Sequence, residues 1–294
     1  MPHSFAGPPI DRAQILQAAA TLGVLASGAA SGPRMMAALC DPAISTAAVA
    51  ALIEKEPTMV ARVLRVANSS YYGQSRGIRT LERALQLLGL DAVRGIAAAT
   101  CLDRGLAREP VIALIEPRPV TLHSLATAAA AEALARIRHP EVAPEAFIAS
   151  LLHNLGIPVQ VQLDRAGVNA ILLARAAQDA RDLPMLEAEY TRVGHAECMA
   201  VVYESWQLPE SLVLATRYHH TPLAAPPAHQ VLSAFVYLGS VLALAGGYTY
   251  SLEPGPVTAA PAVMQLLALE VQDLEVIGAA LPARVTALIE ALLT

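Results

Sequence analysis

The stretch AFIASLLHNLGIPV, residues 146–159, places a histidine and an asparagine side by side within an apolar helical pattern. Gly156 and Pro158 predict that this helix, over 144–155, ends just beyond the pair. A histidine and an amide in such a place have three interpretations. His153 and Asn154 are a metal site, the remainder of one, or polar side chains that the core satisfies by hydrogen bonds.

The composition of the chain favours closely packed helices built from small aliphatic side chains. Of 294 residues, 55% are hydrophobic, 4% are aromatic and 15% are charged. Pattern matching predicts helices almost throughout and no convincing alternating strand. The chain is long enough to bury one large core or to divide into two lobes. We therefore predict an all-α fold, a two-lobed multi-helix bundle.

The charge of the chain argues against nucleic-acid binding. Twenty Lys and Arg against 25 Asp and Glu give a formal net charge of −5, whereas a surface that follows a phosphate backbone is normally basic. Cys40, Cys101 and Cys198 are scattered without a CxxC spacing, which fits a reducing compartment. The N-terminus shows no basic and apolar secretory signal, so we expect a cytoplasmic protein.

One uncharged stretch, residues 223–252, raises the question of a membrane span. Its nearly apolar part, 231–245, approaches the length of such a span. Ser233, Ser240 and a glycine pair interrupt or end it, and no basic flank anchors it, so a buried core helix explains it equally well. We expect no membrane insertion.

Stretches rich in proline and glycine divide the chain. A leader helix over 11–26 is followed by a Gly/Ala/Ser/Pro linker, and residues 107–120 carry three prolines that predict a hinge. The predicted units are a leader and linker at 1–32, a domain at 33–250 made of a smaller N-terminal lobe (33–106), the hinge (107–120) and a second lobe (121–250), and C-terminal helices at 251–294 that pack on the second lobe.

Five of the eight histidines lie in the second lobe in settings that suit metal binding. Neutral imidazole is the commonest protein ligand of divalent transition metals, and neighbouring helices can bring several rings together. For each ring alone, a hydrogen-bonded or exposed polar residue is the simpler interpretation. The five are His123, His153, His195, His219 and His220.

Several long blocks, in this order, resemble an HDOD domain, a branch of the HD hydrolase superfamily. The resemblance extends over about residues 33–250 and implies an all-helical fold with an HD-domain-like second lobe and a role in bacterial signalling. The blocks are LIEKEPTMVARVLRVANSSYYGQSRGIRTLERALQLLGLDAVRGIA (52–97), TLHSLATAAAAEALA (121–135), AFIASLLHNLGIPV (146–159), GHAECMAVVYESWQLPESLVLATRYHH (194–220) and VYLGSVLALAGG (236–247).

The resemblance also implies a ligand set. Catalytic HD enzymes hold metal with a first His, a His-Asp doublet, further histidines and a final Asp, and the five histidines match the histidine positions. Asn154 stands where the Asp of the doublet belongs, and Ser240 stands where the final Asp belongs. An Asn amide is neutral and no base.

These two departures weigh against a dinuclear hydrolase. Two divalent ions about 4 Å apart on neutral ligands would repel each other with no charge to offset the repulsion. Three or four imidazoles can nevertheless hold one Zn or Fe ion. We therefore predict no catalytic residues and expect no cofactor, with a single transition metal as the alternative. Glu187, Glu189 and Glu197 could supply an anion near His195, although a solvated helix face is the commoner explanation.

A cluster of arginines in the first lobe predicts a surface for an anion, a stacked nucleotide or a partner. An ordinary solvated face with two core tyrosines is the simpler interpretation. The residues are Arg62, Arg65, Arg76 and Arg79 with Tyr71 and Tyr72.

Three functions follow, from different classes. The first is a non-catalytic signalling module that acts by protein–protein interaction with a signalling partner and senses an unknown ligand in its cleft. The second is a degenerate metal-dependent phosphohydrolase or phosphodiesterase acting on a nucleotide or cyclic dinucleotide. The third is a transcription-linked adaptor that touches nucleic acid, which the net charge disfavours. We favour the first.

Overall fold

The computed structural model describes residues 12–29, 35, 38–39, 41, 43–68, 77–106, 114–255 and 257–292. Helices dominate these ranges, and no β-strand forms within them; an isolated bridge joins Tyr250 and Glu253. The predicted all-α fold class is confirmed, and the described helices are compatible with two lobes.

Four α-helices are described before residue 107. Ser45 caps the second, accepting a hydrogen bond from the Ala48 N–H at 3.2 Å. Pro57 opens the third at a position where its missing N–H costs nothing. Gly89, with φ 72°, interrupts the fourth, as a glycine after an apolar helical stretch predicts. The helices are α1 (Arg12–Ala29), α2 (Thr46–Glu54), α3 (Pro57–Ala67) and α4 (Leu81–Leu106).

Ten α-helices are described after residue 113, and the first of them is alanine-rich and mostly buried. They are α5 (Pro117–Arg138), α6 (Ala143–Leu152), α7 (Gly156–Leu163), α8 (Arg165–Ala176), α9 (Leu183–Tyr190), α10 (His195–Ser205), α11 (Glu210–Tyr218), α12 (Gln230–Ala245), α13 (Pro261–Leu266) and α14 (Val271–Leu292). Residues 117–120 of the predicted hinge thus form the first turn of α5, and 107–113 lie outside the described residues.

Small side chains let the backbones of α5 and α12 approach closely. A Cβ atom on Gly239 would lie 2.6 Å from the carbonyl oxygen of Thr127 and 2.9 Å from the Cβ of Ala131. Since real Cβ atoms do not come so near, only glycine fits there. This contact fixes α12 against the stretch of α5 that carries His123.

Two helix predictions were wrong. The apolar pattern of residues 185–206 predicts one helix, but this stretch is broken at 191–194 into α9 and α10, because Arg192 adopts φ 61° and the chain turns there. The helix predicted over 144–155 ends at Leu152, and Gly156 begins α7 instead of terminating α6. A Cβ atom on Gly156 would lie 2.0 Å from the carbonyl oxygen of His195, so the glycine permits α7 to touch the start of α10.

The two ends of the described chain pack on different parts of the fold. The leader helix α1 lies on α7 and α10. The C-terminal helix α14 lies on α5 and α12 and also contacts α3, so its packing extends beyond the second lobe.

Two stretches, 143–163 and 227–245, are apolar and long enough for a membrane span by composition alone, but 78% and 61% of them are buried within the fold. Buried core helices pass the same test.

Candidate metal centre

All five predicted histidines meet in one place, which we call the histidine cluster. His123 comes from α5, His153 from the turn after α6, and His195 begins α10. His219 and His220 follow the end of α11. Neighbouring ring centroids lie 4.0–5.4 Å apart. Four of the rings are buried and His220 is half-buried.

Three of these rings have the spacing of ligands around one ion. The ligand atoms of His195, His219 and His220 all lie within 4.8 Å of one another. The Nε2 atom of His195 is 3.3 Å from that of His219 and 3.4 Å from that of His220. Two nitrogens that each lie about 2.0–2.1 Å from a tetrahedral ion are about 3.3–3.4 Å apart. The three residues therefore fit one Zn or Fe ion.

The opposite nitrogens of four rings are held by oxygen atoms that only accept hydrogen bonds. Each Nδ1 must therefore donate, which leaves the lone pair of a neutral ring on Nε2. The pairs are His123 Nδ1 with Tyr248 O (2.9 Å), His153 Nδ1 with Ser150 O (2.5 Å), His195 Nδ1 with Glu187 Oε1 (2.7 Å) and His219 Nδ1 with Thr216 O (2.7 Å).

The close approach of His195 and His219 needs a shared cation. If both rings are neutral, two Nε2 lone pairs face each other at 3.3 Å and cannot form a hydrogen bond. Either a proton on one ring or a metal ion between them removes this conflict. Metal and proton thus compete for the same position.

Burial sets the protonation of the cluster. It lowers the pKa values of His153, His219 and His220 well below 6.5, with the neighbouring rings acting in the same direction, and it lowers the pKa of His123 less far. His195 is the exception: burial lowers its pKa, but the charge and hydrogen bond of Glu187 outweigh burial and raise it above 6.5. In the absence of a metal, His195 is therefore the ring of the cluster that is protonated most readily.

The two positions of the degenerate motif lie at the cluster. Ser240 places its Oγ 3.4 Å from His123 Nε2. Asn154 is fully buried and donates through Nδ2 to the hydroxyl of Tyr250 at 3.3 Å. Its Oδ1 receives no hydrogen bond within the described part of the chain. Both side chains are neutral, as the sequence requires.

A family model for the HDOD domain matches residues 29–222. The chain belongs to the HDOD family. A curated protein of Treponema pallidum (strain Nichols), described as uncharacterized, is 25% identical to this HDOD chain over 202 residues. That match includes 68% of the HDOD chain and spans 38% of the length of the relative.

Solved structures share the HDOD fold at low identity. An HDOD domain protein of unknown function from Geobacter sulfurreducens superimposes with a TM-score of 0.71 at 19% identity, over 95% of this chain and 100% of that one. A candidate signal transduction protein from Marinobacter aquaeolei VT8 superimposes with a TM-score of 0.70 at 22% identity, over 96% of this chain and 58% of that one. A candidate phosphohydrolase from Shewanella amazonensis SB2B superimposes with a TM-score of 0.68 at 19% identity, over 92% of this chain and 97% of that one. These likenesses show the fold.

Glu187 is a buried partner of the HDOD cluster and not part of a solvated helix face. Its Oε1 accepts hydrogen bonds from the backbone N–H of His195 (3.0 Å), from Nδ1 of that ring and from Gln160 Nε2 (3.0 Å). Glu189 and Glu197 pair instead with Arg181 and Arg12 near the surface. The break between α9 and α10 brings Glu187 to His195, and helical periodicity carried no sign of that break.

Sequence reasoning missed two residues of the HDOD site, Tyr250 and Glu253. Both lie in the turn after α12, and both are buried. The Tyr250 hydroxyl donates to Glu253 Oε2 at 2.7 Å, and its ring lies 5.1 Å from that of His123. No motif or periodicity marks them, because the fold alone brings this turn to the cluster.

The predicted arginine surface of the HDOD chain is only partly described. Arg62 is half-buried and donates to Thr100 Oγ1 at 3.4 Å, while Arg65 and Arg79 are exposed. The other three predicted residues, Tyr71, Tyr72 and Arg76, lie outside the described residues. A role for this surface stays a prediction.

Proposed function

We propose that this HDOD chain is a non-catalytic signal-transduction module whose histidine cluster holds one transition metal ion. One observation supports it above the others: the Nε2 atom of His195 lies at the spacing of tetrahedral ligands from those of His219 and His220, in a site where both motif carboxylates are replaced by neutral side chains.

The chain holds two of its three ligands in a fixed orientation. Glu187 orients His195, and the carbonyl of Thr216 orients His219, so both rings are fixed before a metal arrives and displaces the proton of His195. When bound, a Zn or Fe ion would supply a positive charge and a cross-link between α10 and the end of α11. A site of this kind stabilises the fold or reports metal availability.

The same residues argue against hydrolysis. Asn154 and Ser240 cannot take a proton from water at neutral pH, and Glu187 already accepts three hydrogen bonds on the Nδ1 side of His195. A hydrolytic centre needs a base next to the reacting water, and both positions where the HD motif would place a carboxylate are neutral here. We therefore place the output of the module in a signalling partner protein and not in a reaction.

Net charge and helix burial support the location and the type of partner that we propose for this chain. A net charge of −5 disfavours nucleic acid, and both apolar helical stretches are mostly buried, which supports a cytoplasmic module without membrane insertion. The exposed Arg65 and Arg79 are candidates for the partner surface.

Metal content tests the proposal. The full chain, purified without chelator, is compared with His219→Ala and with His229→Ala, a histidine outside the cluster. Elemental analysis should find about one Zn or Fe ion per chain in the wild type and the control and little in His219→Ala. A wild-type protein that retains no added Zn or Fe would refute the metal site.

A panel of phosphodiesters, including cyclic dinucleotides, tests the other half of the proposal. We expect no turnover with added Mn or Fe. Turnover by the wild type that is lost in His219→Ala or Glu253→Gln would show that the chain is an enzyme.

A further inference from the structure

A buried carboxylate stands at the histidine cluster at a position outside the HD motif. Glu253 follows α12 by eight residues and is 9% exposed. Buried glutamates are rare unless they are paired or bind a cation. The question is what this charge balances.

The turn that carries Glu253 is held in place by several contacts. The backbones of Tyr250 and Glu253 exchange two hydrogen bonds, at 3.2 and 2.9 Å. Arg175 donates to the carbonyl of Leu252 at 2.7 Å and ties the turn to α8. The carboxylate therefore has a fixed position.

Tyr250 connects this carboxylate to the motif. Its hydroxyl accepts a hydrogen bond from Asn154 and donates one to Glu253 Oε2. Among the described residues, none donates to the other oxygen, Oε1. One carboxylate oxygen is thus anchored, and the second remains available.

Tyr250 also places Glu253 beside a ring of the cluster. The ring centroid of Tyr250 lies 5.1 Å from that of His123, and its hydroxyl oxygen lies 2.7 Å from Glu253 Oε2. The carboxylate is therefore separated from His123 by a single side chain.

A pocket of about 720 Å³ reaches the cluster beside this carboxylate. Glu253 and His220 both line it. A small solute that enters this pocket can contact a candidate ligand and the carboxylate together. The pocket gives metal ions a route to the cluster.

A divalent ion on three neutral imidazoles leaves two positive charges in a buried site, which is costly without an anion nearby. Asn154 and Ser240 are neutral, and Glu187 is engaged on the far side of His195. Of the acidic side chains described, this leaves Glu253, which lines the pocket together with His220.

We propose that Glu253 is the anionic member of the metal centre and supplies the negative charge that the motif has lost at Asn154 and Ser240. It sets the affinity of the cluster for a divalent transition metal ion. The inference rests on the proposed metal site and assigns to it a residue outside the HD motif.

Calorimetric titration of the chelator-stripped full chain with Zn²⁺, and with Co²⁺ followed by its visible absorption, tests this assignment. Glu253→Gln should lower the affinity of the chain for both ions by about 10–100-fold, the range typical for groups that support a metal site. Glu270→Gln, which neutralises an exposed glutamate at the start of α14, should leave affinity unchanged. Tyr250→Phe keeps the carboxylate charge and should weaken binding by less than about threefold.

Thermal unfolding in chelator separates an effect of charge on metal affinity from an effect on the stability of the fold. If Tyr250→Phe and Glu253→Gln lose affinity and melting temperature equally, the turn acts only by packing and the proposal is wrong. Equal affinities of the wild type and Glu253→Gln would overturn it while leaving the metal site intact. A wild type that binds neither ion would overturn the proposed function first and this inference with it.

Discussion

Asn154 determines what the cluster can do at the scale of single residues. It has nearly the shape of an aspartate, yet it is neutral and fully buried, and it shares the hydroxyl of Tyr250 with Glu253. Its Oδ1 has no hydrogen-bond donor among the described residues. An aspartate here would add a second negative charge beside Glu253. The asparagine therefore keeps the metal-free cluster stable and limits the charge offered to a metal.

Asn154→Asp should separate these two effects. Without metal, the added buried charge should lower the free energy of unfolding by roughly 1–3 kcal/mol. With Zn²⁺, the same charge should tighten binding, so the melting temperature should rise more on metal addition than in the wild type. Thermal unfolding with chelator and with Zn²⁺ measures both. An equal rise in the two proteins would show that residue 154 does not act on the ion.

Much of the site could be predicted at this scale, because the chemistry of imidazole and the HDOD resemblance both select residues. The five histidines were found by type and order, and Asn154 and Ser240 lie beside them. Glu187 could be named only as one of three candidate anions and Glu253 could not be found, since each reaches the cluster through a turn that no local pattern encodes.

Helix α1 packs partly outside the main core. It buries Ile15 against Val193 and Cys198 in a small cluster apart from the main core, and Arg12 pairs with Glu197. The covered residues adjoin His195, the first residue of α10. Burial raises the pKa of the Cys198 thiol to about 12, so the thiol is unreactive while α1 is in place.

Ile15→Glu should release α1 and expose this thiol. In a Cys40→Ala, Cys101→Ala background, Cys198 should react with a disulfide reagent at least about tenfold faster than in the parent. Gln17→Glu adds the same charge at an exposed position of the helix and should leave the rate unchanged. Slow labelling of Ile15→Glu would mean that α1 does not protect Cys198.

Helix existence was easier to predict than helix ends. The apolar periodicity of α3, α5 and α12 was sufficient, and Ser45, Pro57 and Gly89 marked boundaries by local chemistry. The break between α9 and α10 depends on a tertiary contact, the acceptance by Glu187 of the His195 N–H. The same periodicity continues through it, so sequence alone predicted one helix.

At the scale of the whole molecule, the buried rings make stability depend on pH. In the folded chain, burial depresses the pKa values of His153, His219 and His220 well below 6.5, their value when unfolded. Above pH 6.5 these rings are neutral in both states. Below it, the unfolded chain takes up protons that the cluster refuses, so the free energy of unfolding falls, by up to about 1.4 kcal/mol per ring per pH unit.

His195 stabilises the folded chain in the opposite pH range. Its raised pKa means that the stabilisation from its charged pair with Glu187 is complete below pH 6.5 and is lost as the pH rises through the folded value. Urea unfolding in chelator between about pH 7 and about pH 5 should show a steep loss of stability, shallower in His219→Ala but unchanged in His229→Ala. A flat profile would contradict buried neutral rings.

X-ray absorption at the metal edge of the wild-type chain tests the central claim most directly. We predict one ion with three or four nitrogen or oxygen neighbours at about 2.0–2.1 Å and the outer-shell scattering of imidazole. A second metal about 3.5–4 Å away, or a shell without imidazole, would contradict a single ion held by the histidine cluster.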